Sequence, residues 1–221
     1  MNTSLLTRGR GPSDGDVYTR IIKGVLEDGY ILLEKIFSDE QLQALFIDIK
    51  QTGSEHFRAA GIGRDQDHQL NRFVRRDRIR WLEPGYQPAD FYLDWNEQLR
   101  QRLNQELFLG LFDYECHYAH YPNGAFYKKH VDAFKGVSSR RLTTILYLNP
   151  DWQPNDGGEL VIYAEDSQSV LETVLPTFGT MVLFLSEDFP HEVLSAKRSR
   201  YSLTGWFRIN NTDSLNLDPQ R

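Results

Sequence analysis

Two hydrophobic periods divide this 221-residue chain. After Asp16, the residues Val17, Ile21, Ile22, Val25 and Leu26 fall three or four apart, which predicts an amphipathic helix closed by Gly29, and YILLEKIF then reads as a strand. Ser38 with Gln41 three residues on predicts a capped second helix whose buried stripe is Leu42, Leu45, Phe46 and Ile49, ending at Gly53. In RRDRIRWLE, Arg76, Arg78 and Arg80 alternate with Asp77, Ile79 and Trp81, the pattern of a strand with one basic face. Between Pro88 and Leu111, the residues Phe91, Leu93, Trp95, Leu99, Leu103 and Leu107 predict a long helix. Residues 54–73 keep no period and read as a long loop, a candidate lid over a binding site.

Beyond Leu111 the helical spacing disappears. YECHYAHY, AFYKKHVD, RLTTILYLN, GELVIYA, VLETVL, TMVLFLS, HEVLSA and SRYSLTGWFRI are short apolar runs separated by turn chemistry such as YPNG, NPDW, NDGG, PTFG and EDFP. The expected fold is mainly β with N-terminal helices: a double-stranded β-helix (jelly roll) core over 111–210, buttressed by helical support over 16–110 in a single domain. Residues 1–15, polar and glycine-rich, read as a loose leader, and 211–221 as a polar tail.

Composition narrows the function classes. With 40% hydrophobic and 13% aromatic residues, the chain can bury a sizeable core. Lys+Arg 25 against Asp+Glu 31 leaves a net charge of −6, which argues against nucleic acid or an anionic membrane surface as a partner. No apolar run has the length of a membrane span and MNTSLLTRGRGPSDGD has no signal-peptide core, so the expected location is cytoplasmic. Cys116 is the single cysteine, so an intrachain disulfide or a cysteine-based zinc cluster is excluded and any metal needs histidine and carboxylate ligands.

Such ligands are present. His130 and Asp132 are two apart in YPNGAFYKKHVD and share a face where that segment is extended, while His191 opens the run HEVLSA and can approach from across a sandwich. Two imidazoles and one carboxylate occupy one face of an octahedron and leave three positions open, as in non-haem Fe(II) oxygenases. Arg200, nine residues after His191, supplies a permanently charged fork suited to the far carboxylate of a short diacid. Ser202 shares its face, and Thr143 and Tyr147 add hydroxyls from a facing strand. Individually each has a plainer reading, a surface ion pair for Arg200 or a core ring for Tyr147.

In their order and spacing, HVD, LTTILYLN, DGGELVIY, PHEV and RYSLTGW resemble the Fe(II)/2-oxoglutarate-dependent dioxygenases. YPNGAFYKKHVD, RRDRIRWLEPG and LYLNPDW are most similar to the prolyl 4-hydroxylases, in particular the oxygen-sensing (hypoxia-inducible factor) prolyl hydroxylases and their bacterial relatives, over about residues 20–208. The resemblance implies a catalytic jelly roll with Fe(II) held by His130, Asp132 and His191. It further implies 2-oxoglutarate held by Arg200 and Tyr147, Thr143 and Tyr121 lining that pocket, and Ile145, Leu160 and Trp206 as its apolar walls. O₂ would be the second co-substrate and ascorbate an accessory reductant. The implied activity is 4-hydroxylation of an exposed proline in a cytoplasmic protein, with elongation factor Tu as first candidate in a bacterial setting. Three alternatives stay open: hydroxylation of a small molecule or another side chain, a non-catalytic jelly-roll binding module, and a zinc hydrolase, which would leave Arg200 without a role.

Overall fold

The structure, a computed structural model, describes residues 15–52, 56–60, 74–83, 85, 89–133, 138–166 and 168–210. The expected leader apart from Gly15, most of the loop over 54–74 and the polar tail lie outside the described residues.

Among the described residues, three α-helices and eleven strands make three layers. Helix α1 (Val17–Glu27) is capped by the Asp16 side chain, which accepts from the Thr19 N–H. Helix α2 (Asp39–Gln51) begins with the capping box expected at Ser38 and Gln41, with both reciprocal hydrogen bonds present. Helix α3 (Asp90–Leu107) ends at Phe108, whose φ of 54° turns the chain back toward the sheet. No described helix is long and apolar enough to cross a membrane.

The helices pack on one face of a seven-stranded sheet. Its strands are β1 (Tyr30–Leu33), β2 (Arg58–Ala59), β3 (Arg78–Trp81), β4 (Leu111–Tyr121), β6 (Arg140–Tyr147), β9 (Met181–Leu185) and β11 (Arg200–Ile209), in the order β1-β9-β6-β11-β4-β3-β2. Against its other face lies a four-stranded sheet of β5 (Tyr127–His130), β10 (His191–Val193), β7 (Leu160–Tyr163) and β8 (Val170–Val174), in the order β5-β10-β7-β8. All pairings between named strands are antiparallel. The eight C-terminal strands are those expected, and the N-terminal half adds β1, β2 and β3 to the edges of the larger sheet.

Two cores follow from the layering. One, between helices and sheet, contains Ile21, Val25, Leu42, Leu45, Tyr92, Leu99, Leu203 and Phe207; the other, between the sheets, contains Tyr121, Ile145, Tyr147, Leu160, Ile162, Val182 and Phe184. Strand β6 is covered on both faces, so Leu142 to Tyr147 are all buried, the polar Thr143 and Thr144 included.

Three expectations on packing are corrected. Leu26 is 70% exposed, because the apolar side of α1 is spanned by Ile21, Ile22 and Val25. In α3 the buried line is Tyr92, Asn96, Leu99 and Leu103, with Phe91, Leu93 and Trp95 on its flanks. Asn96 can occupy that line because its amide donates to the Tyr92 carbonyl one turn back, at 2.8 Å. The basic strand begins only at Arg78: Arg76, just before it, and Arg78 are exposed, while Arg80 is half-buried and donates to the Thr52 hydroxyl at 2.6 Å.

Candidate active site

The candidate metal ligands come from the smaller sheet and the turn after its strand β5. His130 ends β5, Asp132 lies two residues on, just past the strand, and His191 opens β10 directly opposite His130 in the antiparallel register. One potential ligand atom from each lies within 4.8 Å of the others. Asp132 Oδ1 is 3.6 Å from His130 Nε2, and its Oδ2 is 3.8 Å from His191 Nε2.

Both imidazoles are oriented by main chain. His130 Nδ1 bonds the Lys128 carbonyl at 2.8 Å, and His191 Nδ1 bonds the Phe189 carbonyl at 3.0 Å. A carbonyl only accepts, so Nδ1 carries the proton and Nε2 keeps the lone pair a metal needs. Burial and the neighbouring His130 lower the pKa of His191 to about 4, so it is a free base near neutral pH. Burial acts to raise the Asp132 carboxyl, but the two imidazoles and the more distant Arg140 outweigh it and hold the group well below the usual carboxylate range.

The larger sheet supplies the cation. Arg200 starts β11, is 1% exposed, and lies across from Tyr121 on β4. Its Nε donates to the Gly158 carbonyl at 2.9 Å, and its guanidinium carbon is 5.0 Å from the Tyr121 ring centre and 4.9 Å from that of Tyr147. Gly158 has a φ of +73°, and a Cβ there would stand 2.9 Å from the Ala196 Cβ and 3.2 Å from the Arg200 Cδ. Burial pushes the Tyr147 phenol up to about 12 despite the nearby guanidinium, and Tyr121 lies well above its ordinary value for the same reason. Arg200 Nη2, Tyr147 Oη and Ser202 Oγ are all buried without a hydrogen-bond partner. An unpaired nitrogen of a buried cation and two unpaired hydroxyls beside it are costly unless a ligand completes them.

Ile145 and Leu160 are buried in the core between the sheets together with Tyr121 and Tyr147. The Thr143 hydroxyl donates to Asp132 Oδ2 at 2.8 Å and meets the Ser186 hydroxyl at 2.8 Å, which ties it to a candidate metal ligand. Trp206 faces Thr143 across β6 and β11, under the Arg140 guanidinium at 3.5 Å and 5.4 Å from the His117 ring, and its buried indole N–H has no partner.

Several residues at the site escaped the sequence reading. Arg75 forms a two-point ion pair with Asp77 at 2.6 and 2.7 Å and lies over Tyr127, whose ring stacks on His130 at 3.5 Å. Arg140 is held over Trp206 by Glu115 at 2.8 and 3.0 Å. The available signal was strand parity, since Arg75 and Asp77 are two apart just before β3.

A jelly roll with two histidines and a carboxylate converging from one sheet, and a buried arginine on the other, defines a non-haem iron oxygenase architecture. The donor set fits Fe(II), and the unpaired Arg200, Tyr147 and Ser202 atoms fit a carboxylate at the far end of a co-substrate.

Comparison with known proteins agrees. Residues 116–208 match the model of the 2OG-Fe(II) oxygenase superfamily. The structure is similar to a Pseudomonas putida prolyl-4-hydroxylase, with 37% identity, a TM-score of 0.80, and coverage of 88% of this chain and 100% of that one. It is also similar to a Trichoplax adhaerens prolyl hydroxylase in complex with a hypoxia inducible factor oxygen degradation domain peptide fragment, at 26% identity and a TM-score of 0.74, covering 87% of this chain and 89% of that one. Among curated relatives, Egl nine homolog 1 of Homo sapiens is 29% identical over 174 residues, which are 72% of this chain and 40% of the relative. The chain thus spans less than half the length of that protein. It belongs to the 2OG-Fe(II) oxygenase superfamily.

Proposed function

We propose that this protein is an Fe(II)- and 2-oxoglutarate-dependent prolyl 4-hydroxylase whose substrate is a proline in a cytoplasmic protein. The observation that carries the reading is the buried Arg200, unpaired at Nη2 and flanked by unpaired Tyr147 and Ser202 hydroxyls, in the same sandwich as the His130, Asp132 and His191 face. A metal hydrolase has no use for that cation. The proline assignment is supported by likeness to the Pseudomonas putida and Trichoplax adhaerens prolyl hydroxylases, the second of which was solved with a peptide fragment.

In this reading His130, Asp132 and His191 hold Fe(II), which with 2-oxoglutarate and O₂ supplies oxidation of a C–H bond, with ascorbate as an accessory reductant. Arg200 binds the distal carboxylate of 2-oxoglutarate through charge-assisted hydrogen bonds, and Tyr147 and Ser202 add hydroxyl donors. Ile145 and Leu160 exclude water beside it. Tyr127, stacked on His130, and Trp206, under Arg140, flank the metal face where a substrate residue would enter. A proline suits such a site because its ring is preorganised and its nitrogen carries no hydrogen to be left unsatisfied.

For the substrate itself, elongation factor Tu is the first candidate. The test is to incubate purified elongation factor Tu, and separately a lysate lacking this enzyme, with the iron-loaded protein and 2-oxoglutarate, then map peptides that gain one oxygen atom. A gain on C4 of a proline supports the assignment. Oxygen added only to metabolites or to other residues overturns the prolyl reading, and failure to consume 2-oxoglutarate in either mixture overturns the oxygenase activity.

A further inference from the structure

We infer that Ser186 and Thr143 form a two-hydroxyl relay that holds Asp132 to ligation through one carboxylate oxygen. The relay rests on the metal-centre reading above and assigns Ser186 and Thr143 as positioning residues.

The direction of the relay follows from counting protons. Thr143 Oγ1 carries one hydrogen, and its partner at 2.8 Å, Asp132 Oδ2, is a carboxylate oxygen that only accepts in a metal-ligating residue. That hydrogen is therefore spent on Asp132. The second contact of Thr143 Oγ1, also at 2.8 Å, is the Ser186 hydroxyl, which must be the donor there. Hydrogen bonds thus run from Ser186 to Thr143 to Asp132 Oδ2.

The relay is locked at every step. Ser186 and Thr143 are both 0% exposed, so solvent cannot substitute for either hydroxyl. Thr143 sits in a central strand, opposite Phe184 on one side and Trp206 on the other. Ser186 follows β9, and its backbone N–H donates to the Arg141 carbonyl at 3.0 Å. Strand register thereby sets both hydroxyls before any ion arrives.

The consequence lies in the difference between the two oxygens of Asp132. Oδ2 accepts from Thr143 and stands 3.8 Å from His191 Nε2, while Oδ1 stands 3.6 Å from His130 Nε2 and accepts nothing from the relay. A hydrogen-bonded Oδ2 resists rotating onto the same ion as Oδ1. Two-oxygen ligation would occupy a position that a three-residue face must leave open. The relay also strengthens along its length, because each hydroxyl polarises the next in a buried setting.

The experiment uses the full chain without 2-oxoglutarate and reads Mn(II) affinity by electron paramagnetic resonance, together with the visible absorption of the Co(II)-loaded protein. Thr143→Val is expected to weaken Mn(II) binding by about 10- to 100-fold and to change the Co(II) spectrum, since ligand-orienting partners carry effects of that size. Ser186→Ala is expected to weaken binding several-fold, and Thr143→Ser and Ser186→Thr, which keep the hydroxyls, to stay near wild type. The double variant should match Thr143→Val, because Ser186 acts only through Thr143. Unchanged affinity and spectrum in Ser186→Ala, or losses that add in the double variant, overturn the relay. Should Thr143→Val fail to fold, the contrast of Ser186→Ala with Ser186→Thr decides the matter alone. If the wild-type chain itself binds no Mn(II), it is the metal-centre reading that fails.

Discussion

His130 and His191 are direct partners across two antiparallel strands, and their ring centres lie 4.3 Å apart. This pairing converts a separation of 61 residues in sequence into neighbouring nitrogen donors. Asp132 completes the face from the turn that follows β5.

Replacing His130 or Asp132 by alanine is expected to abolish 2-oxoglutarate decarboxylation, because a three-residue face that loses one ligand neither holds iron firmly nor keeps its open positions in place. Release of CO₂ in metal-controlled buffer is the measurement. Wild-type turnover by both variants would refute the ligand set.

Arg200→Ala should retain metal binding while losing co-substrate affinity. A charge-assisted hydrogen bond contributes about 1.5–3 kcal/mol, which corresponds to roughly one to two orders of magnitude in affinity. Titration of 2-oxoglutarate into the Mn(II)-loaded protein measures the change, and an unaltered dissociation constant would move the anchor to another residue.

Gly158→Ala tests the support behind that arginine. The backbone φ of +73° disfavours any side chain, and the added carbon would meet Ala196 at 2.9 Å and the Arg200 stem at 3.2 Å. A cost of about 1–3 kcal/mol is expected from such strain, which lowers the melting temperature of a domain this size by roughly 2–12 °C. The 2-oxoglutarate requirement should rise with it. A variant as stable as wild type would show that the loop relaxes freely.

The metal-free protein should lose stability in mild acid. Burial lowers His117 to about 3 and His191 to about 4, against an ordinary value of 6.5. Between those values the unfolded chain binds more protons than the folded one, so stability falls as pH falls. The contribution is fully present above about 6.5 and is lost as pH drops toward 4 for His191 and 3 for His117. Urea midpoints measured from pH 7 to pH 4 check this, and His117→Gln should flatten the slope. A midpoint independent of pH would contradict both burial effects.

Much of this architecture was legible because local chemistry and tertiary packing agree. Ser38 and Gln41 lie three apart and cap each other within one turn, so their signal needs no distant partner. His130 and Asp132 likewise belong to one short segment. Thr143 shows the limit: its hydroxyl could face a co-substrate or a ligand, and the choice depends on how Asp132 leaves β5 and on Ser186 arriving from β9. Asn96 shows another limit, since a hydrophobic stripe cannot anticipate an amide whose nitrogen donates to a carbonyl of its own helix. Glu115 and Arg140 are 25 positions apart, and only the placement of β4 and β6 on either side of β11 brings them together.

The division of labour between the sheets has a dimensional consequence. The metal face is carried by the four-stranded sheet, and Arg200 and Tyr147 by the seven-stranded one. The two ends of the proposed diacid are therefore gripped by different slabs, and their separation is set by the filler between them, with Ile145, Leu160, Ile162 and Val182 among it. Under the proposed function, the sandwich works as a calliper that selects an acid by its length. Thickening or thinning that filler by a methylene should shift preference toward a longer or shorter acid without touching a single polar contact.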